Sequence, residues 1–207
     1  MNVAAIIVGI DGWEKYTKPL IESIVIHEPD CGIVVVDNES QEPYPDLKHW
    51  HSSRFEQTRV DRLCYSAAIN WGKRLIYSSW ADWIVVLSND VLCTSPFIHL
   101  LAEYGDGDIV GPLIKNVLGF DYVEGWCVAI PRRAWGAVGG WDERFLGSDW
   151  EDVAFSTRAR QCGFGLVEGF PFVHLDQRQR YHIVEDFAGK NAHNQALFMR
   201  EYARVTA

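Results

Sequence analysis

Two aspartates close short apolar runs in this chain. Asp37 follows Ile33-Val34-Val35-Val36, and Asp90 follows Trp83-Ile84-Val85-Val86-Leu87 by way of Ser88-Asn89. A third acidic position, Glu151-Asp152, comes directly after a glycine- and tryptophan-rich segment, Gly136 to Trp150. Carboxylates are hard oxygen donors, and one or two of them with the phosphates of a ligand form the usual shell of Mg²⁺ or Mn²⁺. Acidic groups at strand ends, with such a segment leading to Glu151-Asp152, therefore suggest a site that handles a divalent metal and a diphosphate. Asp90 is the first candidate ligand, because a side chain just past a buried strand projects from a rigid support. Taken alone, an Asp in that position also serves as a turn former or a helix N-cap.

The elements that must position these groups are legible as runs and periods. Ala4 to Gly9 is brief, apolar and rich in β-branched residues, so it reads as a buried strand. Trp13, Tyr16, Leu20, Ile21 and Ile24 then recur at helical spacing, and Ile33 to Val36 is a second buried strand, which completes a βαβ unit by residue 40. A weaker segment, Arg54 to Val60, precedes a helical stretch from Cys64 to Tyr77 and a strong strand at Trp83 to Leu87. This alternation predicts a mostly parallel sheet covered on both faces. In such sheets ligands sit beyond the carboxyl ends of the strands, where Asp37 and Asp90 stand. Farther on, the pattern predicts strands at Asp108 to Pro112 and Tyr122 to Ile130, and loops at Leu113 to Val123 and Gly136 to Trp150. It then predicts a helix from about Trp150 to Cys162 stopped by Gly163, a last strand from Phe164 to Val173 broken by Pro171, and a closing helix carrying Phe187, Leu197, Phe198 and Tyr202.

Composition excludes several classes. A chain of 207 residues, 48% of them hydrophobic, is ordered and can bury one large core, and one domain over residues 1–207 is expected. The longest apolar runs, such as Val3 to Ile10, are far short of the ~20 residues that cross a bilayer. The N-terminus lacks a basic region ahead of a long apolar one, so the chain reads as cytoplasmic or cytoplasm-facing, with peripheral membrane association left open. Cys31, Cys64, Cys93, Cys127 and Cys162 are widely spaced without a CxxC pair, and read as free thiols. With 19 Lys+Arg against 28 Asp+Glu the formal charge is −9, which disfavours nucleic-acid partners.

The ordered set of segments is more specific than any one of them. Ile6-Ile7-Val8, Val34-Val35-Val36-Asp37-Asn38-Glu39-Ser40, Ala67-Ala68-Ile69-Asn70-Trp71-Gly72 and Val85-Val86-Leu87-Ser88-Asn89-Asp90-Val91 resemble the nucleotide-sugar half of family 2 glycosyltransferases. Gly139-Gly140-Trp141-Asp142-Glu143-Arg144-Phe145, Trp150-Glu151-Asp152 through Ala159, Gly163-Phe164 and His174 resemble its acceptor half. The resemblance implies an α/β GT-A fold, Rossmann-like, with residues 1–92 binding the donor, 93–175 forming the acceptor and catalytic half, and 176–207 a loop and closing helix. It also implies an inverting mechanism and a nucleoside-diphosphate sugar donor, with a UDP-sugar favoured and GDP or TDP as alternatives. Carried over by position, Asp37 contacts the base or ribose, Asp61 and Arg62 add polar contacts there, and Gly9, Ser88, Asn89 and Asp90 complete the donor-binding set. Asp90 belongs to a DxD-type motif that binds Mn²⁺ or Mg²⁺, and His174 completes the metal shell, with His182 as a substitute. Ser88 stands where the motif's first acid would be, which removes one carboxylate ligand.

In the same resemblance Asp152 is the general base that takes the proton of the acceptor hydroxyl. Glu151 orients the acceptor or caps the helix, since adjacent helical residues diverge by about 100°. Trp126 and Trp150 are candidate acceptor contacts, and Arg178 or Arg180 lies where relatives close a loop over the diphosphate. The expected acceptor is a glycan or a lipid-linked glycan. Two rivals stand beside this reading. A sugar nucleotidyltransferase shares the architecture, but Val8-Gly9-Ile10-Asp11-Gly12-Trp13 offers no basic residue to grip a triphosphate. A binding module without turnover would explain Ser88, but has little use for a carboxylate at Asp152.

Overall fold

A computed structural model of the chain describes residues 1–47, 55–76, 80–176 and 186–203. Its centre is a seven-stranded sheet in the order β10-β6-β9-β4-β1-β2-β3. The strands are β1 (Val3–Gly9), β2 (Gly32–Asn38), β3 (Phe55–Val60), β4 (Trp83–Ser88), β6 (Asp108–Gly111), β9 (Cys127–Pro131) and β10 (Gly165–Glu168). Neighbours pair in parallel except β9, which is antiparallel to β4 and β6. The expected mostly parallel α/β sheet is therefore present.

The apolar runs of β1, β2 and β4 follow from burial on both faces. Successive side chains of a strand point to opposite sides. Val3, Ala5 and Ile7, with Ile33, Val35, Val85 and Leu87, enter one core layer, against Leu20, Ile21 and Ile24 of α1 (Lys18–His27) and Leu101 of α3 (Ile98–Tyr104). Ala4, Ile6 and Val8, with Val34, Val36, Ile84 and Val86, enter the other. That layer is closed by α2 (Tyr65–Leu75), α4 (Arg132–Val138) and α5 (Glu151–Gln161), through residues such as Ile69, Ala134 and Phe155. A third, smaller cluster joins Val153 and Ala154 of α5 to Leu197 and Phe198 of α6 (Phe187–Glu201).

Four expectations are corrected. The predicted strand from Tyr122 to Ile130 is two strands, β8 (Phe120–Val123) and β9, because Glu124-Gly125-Trp126 turns the chain from a separate two-stranded sheet into the central one. The predicted loop over Leu113 to Val123 is a hairpin of β7 (Leu113–Val117) with β8, turned at Leu118-Gly119, both in the left-handed region. The predicted loop from Gly136 begins as the last turn of α4 and becomes irregular only at Gly139. The predicted strand from Phe164 to Val173 belongs to two sheets. Gly169 and Phe170, both at positive φ, divert the chain after β10, so that β11 (Phe172–His174) pairs antiparallel with β5 (Val91–Cys93). That pairing sets His174 opposite Val91, beside Asp90. Among the described residues no helix is long and apolar enough to cross a membrane.

Candidate active site

Beyond the carboxyl ends of β1, β2 and β4 lies a cavity of about 710 Å³. Gly9, Asn38, Arg62, Ser88, Asn89, Asp90, Glu124, Trp126, Glu151, Asp152 and His174 all line it. Residues from Gly9 to His174, 165 positions apart in the sequence, thus converge where a parallel sheet presents its crevice.

One wall is built around Asp90, which is 4% exposed. Ser88 donates its Oγ–H to Asp90 Oδ1 at 2.6 Å, and His174 Nε2 lies 3.1 Å from Asp90 Oδ2. The backbone secures the pair, since Leu175 N–H donates to Asp90 O at 2.8 Å. Ser88 therefore does not leave a gap where an acid was expected; it orients Asp90 so that the other oxygen faces His174. The imidazole stacks on the indole of Trp126, with centroids 4.8 Å apart and planes 18° from parallel. The indole Nε1–H donates to Glu124 Oε2 at 2.9 Å, and Trp126 O accepts from Ser88 N–H at 2.9 Å.

The opposite wall is the start of α5. Asp152 Oδ2 accepts from Gly125 N–H at 3.1 Å, and Oδ1 accepts from Val153 N–H at 2.8 Å. Burial pushes the Asp152 carboxyl up to about 6, aided by the Asp149 and Glu124 carboxylates and opposed by those two N–H groups. A carboxylate that titrates close to neutrality has the basicity a general base needs. Glu151 borders the same cavity but is only 4% exposed, so Asp152 is the more open of the two.

The turn that delivers Asp152 is strained. Asp149 and Trp150 both adopt positive φ, 82° and 72°, which costs of order 1–3 kcal/mol each for residues other than glycine. Helix α6 holds it in place. The fully buried Asn194 accepts from Leu146 N–H at 2.8 Å and donates to the carbonyls of Leu146, Ser148 and Asp149. Asn191 donates to Asp149 Oδ2 at 3.0 Å. Removing the amide in Asn194→Ala is expected to lower stability by about 1–3 kcal/mol for the orphaned groups, read as a lower denaturant midpoint, and to lower turnover as the Asp149-Trp150 turn loosens.

The residues expected at the donor are placed differently with respect to the cavity. Asp37 is 1% exposed and accepts from Ser40 N–H at 2.8 Å, Tyr44 N–H at 3.2 Å and Arg59 Nη1 at 2.8 Å. It fixes the turn that carries Asn38 and Glu39 into the cavity, and these two, rather than Asp37, form the wall. Asn89 borders the cavity, but its Nδ2 is spent on Asp11 O, Thr17 Oγ1 and Tyr44 Oη. Gly9 is required by the same network, since a Cβ there would sit 2.5 Å from Tyr44 Oη. Asp61 is exposed and outside the cavity lining, whereas Arg62 lines it and pairs with Glu39 at 3.5 Å. Trp150 turns its ring onto Phe198 and donates to Asn191, so it packs under α6 instead of facing the cavity. Arg178, Arg180 and His182 lie outside the described residues. Asn38, Glu39, Glu124, Asn191 and Asn194 were not singled out by sequence, because polar residues in a turn or on an amphipathic helix look solvated until their partners are known.

No protein-family model matches the chain. Uncharacterized proteins of Mycobacterium bovis and Mycobacterium tuberculosis are 25% identical to it over 189 residues, covering 78% of this chain and 69% of theirs. Among solved structures, GalNAc-T7 with UDP, GalNAc and Mn²⁺ superposes with a TM-score of 0.74 at 14% identity, over 98% of this chain. The mannosyltransferase PcManGT from Pyrobaculum calidifontis, in complex with GDP-Man and Mn²⁺, gives 0.70 at 15% identity over 98%. Residues 1–349 of S. aureus TarS give 0.64 at 12% identity over the whole chain. The chain spans 49% of the GalNAc-T7 chain, 64% of PcManGT and 74% of that TarS fragment. The fold is GT-A, as the sequence resemblance implied.

Proposed function

We propose that this chain is a metal-assisted, inverting glycosyltransferase that moves a sugar from a nucleoside-diphosphate donor to an acceptor hydroxyl, with Asp152 as general base. The observation that carries the reading is the joint lining of one cavity by the Asp90–His174 pair and by Asp152. The Mn²⁺-bound and sugar-nucleotide-bound neighbours of the same fold support it.

The residues around Asp90 fit a divalent cation. Asp90 Oδ2 and His174 Nε2, 3.1 Å apart on one wall of the cavity, are a hard oxygen and an imidazole nitrogen that would hold such an ion. Among the described residues no group of three or more His, Cys, Asp or Glu could hold a metal. Asp90 and His174 would therefore hold an ion only together with ligand oxygens such as those of a diphosphate. When bound, such an ion neutralises the charge that gathers on the departing diphosphate.

The protein's own groups do the rest. Asn38, Glu39 and Arg62 line the donor side of the cavity, and Ser88 keeps Asp90 in the orientation that faces His174. Asp152 takes the acceptor O–H proton as that oxygen forms its bond to the anomeric carbon. The bond from that carbon to the diphosphate oxygen breaks in the same displacement, and the electron pair leaves with the nucleoside diphosphate. One displacement inverts the anomeric centre. Glu151 borders the acceptor side, and Trp126 offers an acceptor sugar only the ring face that His174 does not cover. The acceptor class this reading favours is a glycan or lipid-linked glycan.

A thermal-shift panel of UDP, GDP, TDP and CMP, each with Mn²⁺ and with EDTA, tests the binding half of the reading. A ligand that binds only the native state raises stability by RT ln(1 + [L]/Kd), about 2.7 kcal/mol at 100 Kd. One diphosphate is expected to raise the melting temperature with Mn²⁺ and to lose that effect in EDTA. Release of that diphosphate from its sugar nucleotide tests turnover. Metal-dependent binding without any release would leave a binding module of the same fold.

A further inference from the structure

We infer that Glu124 and Trp126 are positioning residues that fix the His174 imidazole for cation binding, and that the turn they occupy holds the cation site at a set distance from Asp152. This inference rests on the reading that Asp90 and His174 hold a divalent cation.

The argument starts from the two contacts that orient the imidazole: the 3.1 Å approach of Nε2 to Asp90 Oδ2, and the stack on Trp126 at 4.8 Å. A nitrogen lone pair given to a cation cannot also carry a proton donated to a carboxylate. On cation binding the first contact therefore ceases to be a hydrogen bond, while the stack remains. Ligating histidines need an outer partner that fixes the ring, and where that partner is a hydrogen-bond acceptor its loss typically weakens metal binding 10- to 100-fold. Here the support is a ring face, itself held by Trp126 Nε1–H donating to Glu124 at 2.9 Å.

The same three residues reach both halves of the site. Glu124 N–H donates to Pro112 O at 2.9 Å, which anchors the turn to the strand region beside it. Gly125 N–H holds Asp152 at 3.1 Å, and Trp126 O accepts from Ser88 N–H at 2.9 Å, two residues before Asp90. A side chain at residue 125 would press on Asp152 Cβ and Trp141, both 3.3 Å from where its Cβ would stand. A displacement reaction depends on the separation of base and leaving group, and small misplacements are costly. One short turn sets that separation here.

The test is Mn²⁺ affinity in the presence of UDP, read as free Mn²⁺ by electron paramagnetic resonance, with UDP affinity in EDTA and melting temperature measured alongside. Trp126→Ala is expected to weaken Mn²⁺ about 10-fold or more, while Trp126→Phe, which keeps a ring to stack, recovers most of that loss. Glu124→Gln retains an oxygen acceptor for the indole and is expected to bind Mn²⁺ like the parent, whereas Glu124→Leu binds it more weakly. Parental Mn²⁺ affinity in Trp126→Ala, or equal weakening in the Ala and Phe variants, would overturn the inference while leaving the cation site intact. Failure of the parent chain itself to bind Mn²⁺ with any nucleotide overturns the underlying reading, and this inference with it. If Trp126→Ala does not fold, the contrast between Glu124→Gln and Glu124→Leu decides: weakening only in Leu supports the brace, and no contrast overturns it.

Discussion

Asp152→Asn is expected to lower turnover by about 10²–10⁴, the usual contribution of a positioned general base, while UDP binding with Mn²⁺ stays near that of the parent. The substitution is nearly isosteric, and the amide oxygen can still accept from Gly125 N–H, at the cost of the hydrogen bond that Val153 N–H gives the other carboxylate oxygen. What is lost is the capacity to take a proton. Two pH measurements add independent checks. Because burial raises the Asp152 carboxyl to about 6, the parent's kcat/KM should fall on the acid side with an apparent pKa near that value. Stability follows the opposite sense. A carboxyl raised in the folded state binds its proton more tightly there than in the unfolded chain. Its stabilising contribution is therefore present below the ordinary carboxylate range and is lost as pH rises through about 6. The Asn variant has no such loss, so its melting temperature should gain on the parent's between pH 4 and pH 7 and change little above that. A variant that lost nucleotide binding with its turnover would remove Asp152 from the role of base, and a flat stability difference would contradict its burial as a charged group.

The sheet was legible because it is buried on both faces. Continuous β-branched runs have no polar side to hide, and β1, β2 and β4 divide their alternate residues between two apolar layers. The short elements were not legible. Helix α4 spans Arg132–Val138 and contains Gly136, which weakens any helical signal, and β5 is only Val91–Cys93. Neither has enough residues to establish a period, and both are fixed by what they pack against. At the site, Asp90, Asp152 and His174 were legible through their order along the chain, and the structure brings them to one cavity. Asp37 illustrates the limit of such reading. A carboxylate at a strand end can meet a ligand or anchor a turn, and Arg59, which lies against it, is 22 residues away in sequence. The Asn191 and Asn194 pair was illegible for a related reason, since an amide inside a helix reveals its partners only when the loop it holds has been folded onto it.

Asp90→Ala carries the second large expected effect, and it separates the two halves of the site. The carboxylate is 4% exposed, with one oxygen bound by Ser88 and the other against His174, so its removal would leave the proposed Asp90–His174 pair with the imidazole alone. A cation held there would supply several kcal/mol of charge stabilisation to the leaving diphosphate, so on the proposed reading turnover is expected to fall roughly 10³-fold or more. The expected signature differs from that of Asp152→Asn. The Mn²⁺-dependent nucleotide thermal shift should vanish, and the variant with Mn²⁺ should behave as the parent does in EDTA, because Asn38, Glu39 and Arg62 are untouched. Ser88→Ala provides the graded comparison. It removes only the 2.6 Å hydrogen bond that orients Asp90 and leaves the carboxylate in place, so Mn²⁺ affinity should fall within about 10-fold, the lower end of the range for an outer partner. Retention of Mn²⁺-dependent nucleotide binding in Asp90→Ala would place the cation elsewhere in the cavity. In that event the 3.1 Å Asp90–His174 contact would be a structural tie between β11 and β5.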